Sequence, residues 1–140
     1  MITRVAAIVV AVIGLGIATY LTVVHYAGEA PVCAIAHGCA TVQKSDYAKL
    51  AGIPVALLGV IGYVGILAAL IRDDENARTA AAFLSIVGVG FSAWLTYVEV
   101  GKLDAICIWC VGSAICMTLL TVLTVSRALT VSRPELARVR

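Results

Sequence analysis

Four long stretches without a charged side chain constrain the fold of this chain more than any other feature of its sequence. They hold 24, 22, 20 and 22 residues and are bounded, in chain order, by the charged pairs Arg4 and Glu29, Lys49 and Arg72, Arg78 and Glu99, and Asp104 and Arg127. A helix needs about 20 mostly apolar residues to cross the hydrocarbon core of a bilayer, and a charge at its centre costs roughly 2.5–3.5 kcal/mol. The pattern predicts an all-α integral membrane protein, a bundle of four transmembrane helices at about 4–26, 53–71, 79–99 and 106–127.

The composition supports the same interpretation. Of the 140 residues, 62% are apolar and 13% are charged, whereas a soluble domain averages about 45–50% and about 25%. A disordered chain is excluded, because such chains lack apolar residues. The net charge of +2 is too small to indicate a nucleic-acid partner. The high apolar content instead makes the lipid bilayer the expected surroundings.

The distribution of basic residues predicts the orientation in the membrane. With both termini in the cytoplasm, seven Lys and Arg residues lie inside and three outside, as the positive-inside rule prefers. A cleaved signal peptide ending near Gly28-Glu29-Ala30 is the alternative for the first helix. Its apolar stretch exceeds the 7–15 residues typical of a signal peptide, so we expect the helix to be retained in a multi-pass inner (plasma) membrane protein.

No hydrophilic segment is long enough for a second domain. Residues 1–127 are therefore expected to form one transmembrane domain, followed by a cytoplasmic tail at 128–140. The short charged loop at 72–78 makes the second and third helices antiparallel neighbours. The outer loop at 27–52, expected in the periplasm, is the longest connection between the predicted helices.

The outer loop is predicted to carry a short helix. Ser45 is a suitable N-cap, and Gly52 a suitable residue just past the end of a helix. Pro54 would then lie in the first turn of the second transmembrane helix. Within that helix, Gly59 and Gly65 lie on either side of Gly62 at intervals of three residues, a spacing that favours close helix packing in lipid.

Four of the five cysteines fall on the predicted outer side. Cys33 and Cys39 lie in the outer loop, and Cys107 and Cys110 open the fourth helix as Cys-Ile-Trp-Cys. That side is oxidising in bacteria and in the secretory lumen, so disulfides persist there. Cys116, two turns deeper among apolar neighbours, is predicted to be an inert buried thiol.

A Cys-x-x-Cys pair at a helix start is suited to redox chemistry. The helix N-terminus and the neighbouring thiol lower the pKa of an exposed cysteine, and the thiolate is the form that attacks a disulfide. Two structural disulfides are an alternative, although so small a loop removes little unfolded-state entropy. A structural zinc site is another, although the Cys33 to Cys39 spacing is wider than usual. The residues favour electron transfer between two cysteine pairs.

Taken together, these motifs resemble the vitamin K epoxide reductase family, in particular its bacterial members that reoxidise disulfide-forming enzymes. The resemblance covers about residues 5–127 and rests on features that occur in the family's order. These are the loop pair Cys33-x5-Cys39, Ser45 six residues later, Gly52-Ile-Pro54 before the second helix, and Cys107-Ile-Trp-Cys110.

The resemblance implies a role for each of the four cysteines. Cys33 and Cys39 would exchange disulfides with a periplasmic DsbA-like protein of the thioredoxin fold, and Cys39 would then attack Cys107. Cys107 and Cys110 would be the active-site pair, with Cys110 facing a membrane quinone of the ubiquinone or menaquinone class. Ser45 corresponds to a family serine near this site and would either bind the quinone or only cap its helix.

Two departures refine the expected activity. Ala114 stands where the vertebrate enzymes have a tyrosine that contacts the substrate, which favours plain quinone reduction over vitamin K epoxide reduction. The sequence given carries no fused thioredoxin-like domain after the fourth helix, so the protein partner is expected to act in trans. His37 is expected to be solvated, and Trp109 either lines the quinone pocket or lies at the membrane boundary. Other aromatic residues are expected to serve packing or the membrane boundary: Tyr20, Phe83, Phe91, Trp94 and Tyr97.

Overall fold

A computed structural model shows the architecture of the chain. It describes residues 1–29, 32, 38, 41, 44–46 and 49–139, the last nine by their backbone alone. Four helices dominate this part of the chain: α1 (Ile2–Ala27), α2 (Val55–Arg72), α3 (Glu75–Val98) and α4 (Ile108–Val139). Two short strands, β1 (Lys49–Leu50) and β2 (Ile53–Pro54), precede α2, and a π-helical turn (Glu99–Leu103) follows α3.

The four predicted transmembrane helices are confirmed to within a few residues. Each of the four is long and apolar enough to cross a membrane, the fourth over Ile108–Thr130. Many large apolar side chains point outward from the bundle, including Val9, Ile61, Phe83, Ile86 and Val122. An exposed apolar surface of this extent is unfavourable in water and suits contact with lipid.

The helices form a ring in which every helix packs against two neighbours. The contacts run from α1 to α2, from α2 to α3, from α3 to α4, and from α4 back to α1. Neighbours in the ring are antiparallel, as the sequence predicted for α2 and α3. Beyond residue 127, α4 continues to Val139, so the segment expected as a tail has helical backbone.

Small residues allow the helices to approach closely. Ala7, Ala11 and Ala18 on α1 are buried in the core. The ring of Tyr63 lies directly over Gly14, where an added Cβ would come within 2.2 Å of it. The predicted role of the α2 glycines is confirmed only in part, because a Cβ at Gly62 would meet nothing within 4 Å.

The prediction that the short helix of the outer loop ends just before Gly52 is wrong. Lys49 and Leu50 are extended and pair with Pro54 and Ile53 in an antiparallel hairpin. Its two turn residues, Ala51–Gly52, both have positive φ, as a type I′ hairpin turn requires. Pro54 consequently ends β2 and occupies the position just before the first residue of α2 instead of lying inside the helix.

One end of the bundle is closed by an ionic cluster, which we call the arginine end. Asp73, between α2 and α3, pairs with Arg4, Arg78 and Arg127. Asp74 caps α3 by accepting a hydrogen bond from the backbone N–H of Ala77. The cluster joins residues from α1, α3 and α4 at a single carboxylate.

Candidate active site

The opposite end of the bundle, which we call the cysteine end, positions Cys107 and Cys110 at the start of α4. After the π-helical turn, Asp104 adopts a left-handed conformation with φ of 46° and reverses the chain. The carbonyl of Cys107 then accepts the hydrogen bond from Val111 N–H. The prediction that the Cys-x-x-Cys motif opens the fourth transmembrane helix is confirmed.

The two thiols of this motif are hydrogen-bonded to each other. The Cys110 thiol, together with the backbone N–H groups of Cys110 and Trp109, lowers the pKa of Cys107 to about 7, although burial opposes the shift. A large fraction of Cys107 is therefore thiolate at neutral pH. This is the nucleophilic form for disulfide exchange.

Cys107 is completely buried, with an exposed fraction of 0%. Leu103, Ala105, Trp109 and Cys110 pack against it. Cys110 is half-buried and lines a cavity between the helices. A small molecule in that cavity would meet Cys110, while a protein in the surrounding solvent would not reach the sulfur of Cys107 directly.

Glu99 lies between the two thiols and the end of α3. It is only 4% exposed, and its Oε2 accepts a hydrogen bond from the Cys107 N–H at 3.2 Å. The same carboxylate is hydrogen-bonded to the Cys110 thiol. Sequence reasoning used Glu99 only as a boundary charge and missed it as a site residue. The available signal was an acidic residue at the end of the charge-free stretch 79–98, eight residues before Cys107.

The cavity beside Cys110 has a volume of about 330 Å³ and is bounded by all four helices. Its wall is mainly apolar and includes Leu84, Phe91 and Leu95 of α3. Polar residues on the wall include Ser45, Tyr63, Glu99 and Ser113. Ser45 and Cys110, which the sequence predicted at one site, thus line the same cavity.

Tyr63 and Ser113 are cavity residues that the sequence reasoning did not find. The Tyr63 hydroxyl donates to the Ser113 carbonyl at 2.9 Å and lies 3.0 Å from the Ser113 Oγ. Phe91, expected to serve packing or the membrane boundary, also lines the cavity. Amphipathic periodicity carried no signal for these residues, since both the core and the lipid-facing sides of the helices are apolar.

Two residues of the outer loop contact the Cys-x-x-Cys segment. The Val32 carbonyl accepts a hydrogen bond from Trp109 Nε1 at 2.8 Å, and its N–H donates to the Tyr20 hydroxyl at 3.0 Å. The rings of Tyr20 and Trp109 pack with centroids 4.8 Å apart. Gly38 lies so close to Ile106 that an added Cβ would come within 2.6 Å of the Ile106 nitrogen.

The remaining predicted residues are placed as follows. Cys33, Cys39 and His37 lie outside the described residues, so their roles stay predictions. Cys116 is a buried thiol in the main core cluster, as predicted. Trp109 is absent from the part of the cavity wall formed by described residues, and its ring instead joins α4 to Tyr20 and the loop.

The arrangement combines a nucleophilic buried thiolate, a second thiol facing an apolar cavity and a buried carboxylate that contacts both residues. Such a set can form a disulfide reversibly, and it can pass electrons and protons to a molecule in the cavity.

Comparison with known proteins agrees with this chemistry. Residues 5–125 match the model of the vitamin K epoxide reductase family. A relative named thiol-disulfide oxidoreductase LTO1, from Arabidopsis thaliana, is 30% identical over 108 residues. The match covers 68% of this chain and 28% of the relative, so the chain corresponds to only a part of that protein.

Proposed function

Because this chain belongs to the vitamin K epoxide reductase family, we propose that it is a membrane thiol-disulfide oxidoreductase that passes electrons from a soluble dithiol protein to a membrane quinone. The Cys33–Cys39 disulfide would oxidise a DsbA-like partner, and the Cys107–Cys110 disulfide would reoxidise the loop pair. The quinone would then accept two electrons from Cys107 and Cys110 and take up two protons. One partner disulfide is formed for each quinol released.

The observation that carries this proposal is the contact between the loop and the active-site segment. Val32 and Gly38, which immediately precede Cys33 and Cys39, are held against Trp109 and Ile106. The residue immediately before each loop cysteine therefore lies against the segment that carries Cys107. Disulfide exchange requires a thiolate to reach a sulfur of the other pair, and this anchoring favours that approach.

The burial of Cys107 supports a relay over a direct reaction. A folded protein cannot bring its own cysteine to a sulfur that has no exposed surface. The loop pair supplies the carrier that this geometry needs. It accepts electrons from the partner and delivers them to Cys107 from within the same chain.

The cavity suits a quinone as the electron acceptor. Its volume of about 330 Å³ lies at the lower end of the roughly 300–1,000 Å³ of small-molecule sites. The wall is mostly apolar, as a quinone ring requires, and Cys110 lies on it. When bound, a quinone would supply the oxidising equivalents, and Ser45, which lines the cavity, would orient it by a hydrogen bond.

The proposed setting follows from the redox chemistry. The cysteine end would face the oxidising side of a cell membrane, with both termini in the cytoplasm, which agrees with the distribution of Lys and Arg. Residues 1–127 would form the catalytic membrane domain, and the part of α4 beyond residue 127 would extend into the cytoplasm. The thioredoxin-fold partner would act in trans.

A quinone-reduction assay with the purified chain in lipid tests the proposal. Cys110→Ala should abolish quinone reduction even when dithiothreitol is the reductant, because the sulfur facing the cavity is lost. Cys116→Ala makes the same change at a core thiol and should retain activity. Full activity of Cys110→Ala would refute the proposal, as would stoichiometric zinc held by the four outer cysteines.

A second variant separates the two cysteine pairs. Cys33→Ala should leave reduction by dithiothreitol intact but block reduction by a thioredoxin-fold dithiol protein. Equal rates with that protein for Cys33→Ala and the unmodified chain would show that the loop pair is not a carrier.

A further inference from the structure

Glu99, a buried acidic residue at the cysteine end, is placed where it could transfer a proton. Glu99 is 4% exposed and lies at the end of a membrane-spanning helix. Ionisable groups in such positions are costly, and they mark proton or ion pathways in membrane proteins. The groups that contact Glu99 indicate which proton it could accept or donate.

The backbone holds Glu99 firmly against the active-site segment. Its carbonyl accepts a hydrogen bond from Ala105 N–H at 3.0 Å, and its Oε2 accepts one from Cys107 N–H at 3.2 Å. The π-helical turn that begins at Glu99 makes this possible, because it brings the chain back over its own first residue. The carboxylate is thus held in one place, and among the described residues it forms no ion pair.

The ion pairs of the described residues all involve Asp73, at the other end of the bundle. Glu99 instead contacts the Cys110 thiol and lines the cavity together with it. Lys102 and Asp104 follow closely in the chain, but both are exposed. A carboxylate that touches a reacting thiol and a ligand cavity can move a proton between them.

We propose that Glu99 is a catalytic residue that takes the proton from the Cys110 thiol and delivers it to an oxygen of the quinone. The inference rests on the proposed function above. As the Sγ–Sγ bond between Cys107 and Cys110 forms, two electrons leave the sulfurs for the quinone, and the Cys110 S–H bond breaks. The proton passes through Glu99 to one quinone oxygen. The second proton of the quinol comes from water and replaces the one that Cys107 released on ionising.

Glu99→Gln is the informative variant, because its amide oxygen can still accept the Cys107 N–H bond but cannot take a proton. With dithiothreitol as reductant, we expect quinone reduction to fall about 100-fold, the lower range for loss of a general acid–base group. Asp104→Asn makes the same chemical change at an exposed position, and asparagine tolerates its left-handed backbone. It should keep the original rate.

An infrared difference spectrum between the dithiol and disulfide forms gives a readout that does not depend on turnover. The unmodified chain and Asp104→Asn should show a carboxyl band that changes with the redox state of the cysteines, and Glu99→Gln should lack it. If Glu99→Gln does not fold, Glu99→Asp replaces it. Its shorter carboxylate should reduce the rate about tenfold while leaving a carboxyl band.

The outcomes separate the two proposals. If the unmodified chain reduces no quinone, the proposed function fails. If it does reduce quinone and Glu99→Gln, or Glu99→Asp in its place, keeps the original rate, the role of Glu99 is overturned. The same follows if the carboxyl band persists in folded Glu99→Gln.

Discussion

The two ends of the helix bundle each hold one shielded acidic side chain, and they use it in opposite ways. At the arginine end, Asp73 accepts hydrogen bonds from Arg78 and Arg127, and Arg4 lies 3.8 Å away. At the cysteine end, Glu99 contacts a backbone N–H and a thiol. The first acid is neutralised by several cations, while the second is left next to the reactive groups.

The difference also appears in the packing. At the arginine end, the Arg4 guanidinium donates to the carbonyls of Leu70 and Ile71, each at 2.9 Å, and so satisfies the last turn of α2. The cysteine end is hollow instead, with Cys110 and Glu99 on a cavity wall. A bundle clamped at one end can retain an open site at the other. We therefore expect changes at the arginine end to alter stability and changes at the cysteine end to alter rates.

Asp73→Asn should give the largest effect and should affect unfolding only. The variant keeps a residue that tolerates the left-handed backbone at this position but removes the charge that three arginines share. Hydrogen bonds to charged groups contribute about 1.5–3 kcal/mol, so we expect the free energy of unfolding to fall by about 2–3 kcal/mol. Thermal unfolding in lipid or detergent measures it.

At acidic pH, Asp73→Asn and the unmodified chain should have the same free energy of unfolding. The Arg78 hydrogen bonds and the neighbouring arginines hold the pKa of Asp73 below its ordinary value. Its contribution to stability is therefore present above that ordinary pKa and is lost as the pH falls through the lowered one. Asp74→Asn retains a capping side chain and should change little. Equal stabilities of Asp73→Asn and the unmodified chain at neutral pH would remove the distinction between the two ends.

At the cysteine end, the hydrogen bond between the two thiols should control the reactivity of Cys107. Alkylation of the reduced protein, followed by mass spectrometry of the Cys107 peptide, should reach half its maximal rate near pH 7. Cys110→Ala removes the main donor and should raise the pKa of Cys107. The loss of about 1.5–3 kcal/mol predicts an alkylation rate about tenfold lower at neutral pH.

Cys110→Ser is the matched control for this prediction, because its hydroxyl can still donate to the Cys107 sulfur. Its midpoint should stay close to that of the unmodified chain. Coincident pH profiles for the alanine and serine variants would show that the hydrogen bond has no part in activating Cys107.

A smaller effect is expected where the loop contacts the active-site segment. A Cβ at Gly38 would lie 2.6 Å from the backbone nitrogen of Ile106, and overpacking of this kind costs about 1 kcal/mol or more. Gly38→Ala should therefore slow quinone reduction by a thioredoxin-fold dithiol about fivefold. Reduction by dithiothreitol should change little.

Gly90→Ala controls for the added methyl group, because a Cβ at Gly90 would meet nothing within 4 Å. Both rates should stay unchanged in this variant. A Gly38→Ala protein that slows both reductants equally would indicate a general disturbance of the cysteine end instead of a displaced loop.

Sequence reasoning succeeded where one local rule dominates. Absence of charge over a bilayer's thickness predicted the four helices, and the Cys107-x-x-Cys110 spacing predicted the start of α4. It failed at Lys49 and Leu50, because the Ala51–Gly52 turn favours a hairpin over a helix end. It also could not find Glu99, since one acidic residue at a helix end is equally consistent with an exposed boundary charge.

The sequence by itself determined that the chain spans a membrane with four helices and that two thiols begin the last of them. Both follow from hydropathy and spacing along the chain. Only the tertiary structure decided that Cys107 is buried, that Tyr63 and Ser113 line a cavity beside Cys110, and that Glu99 contacts the reactive thiol. These contacts depend on how the π-helical turn and the outer loop pack against the helix bundle. Contacts between segments distant in sequence leave no periodic pattern in the sequence of either segment.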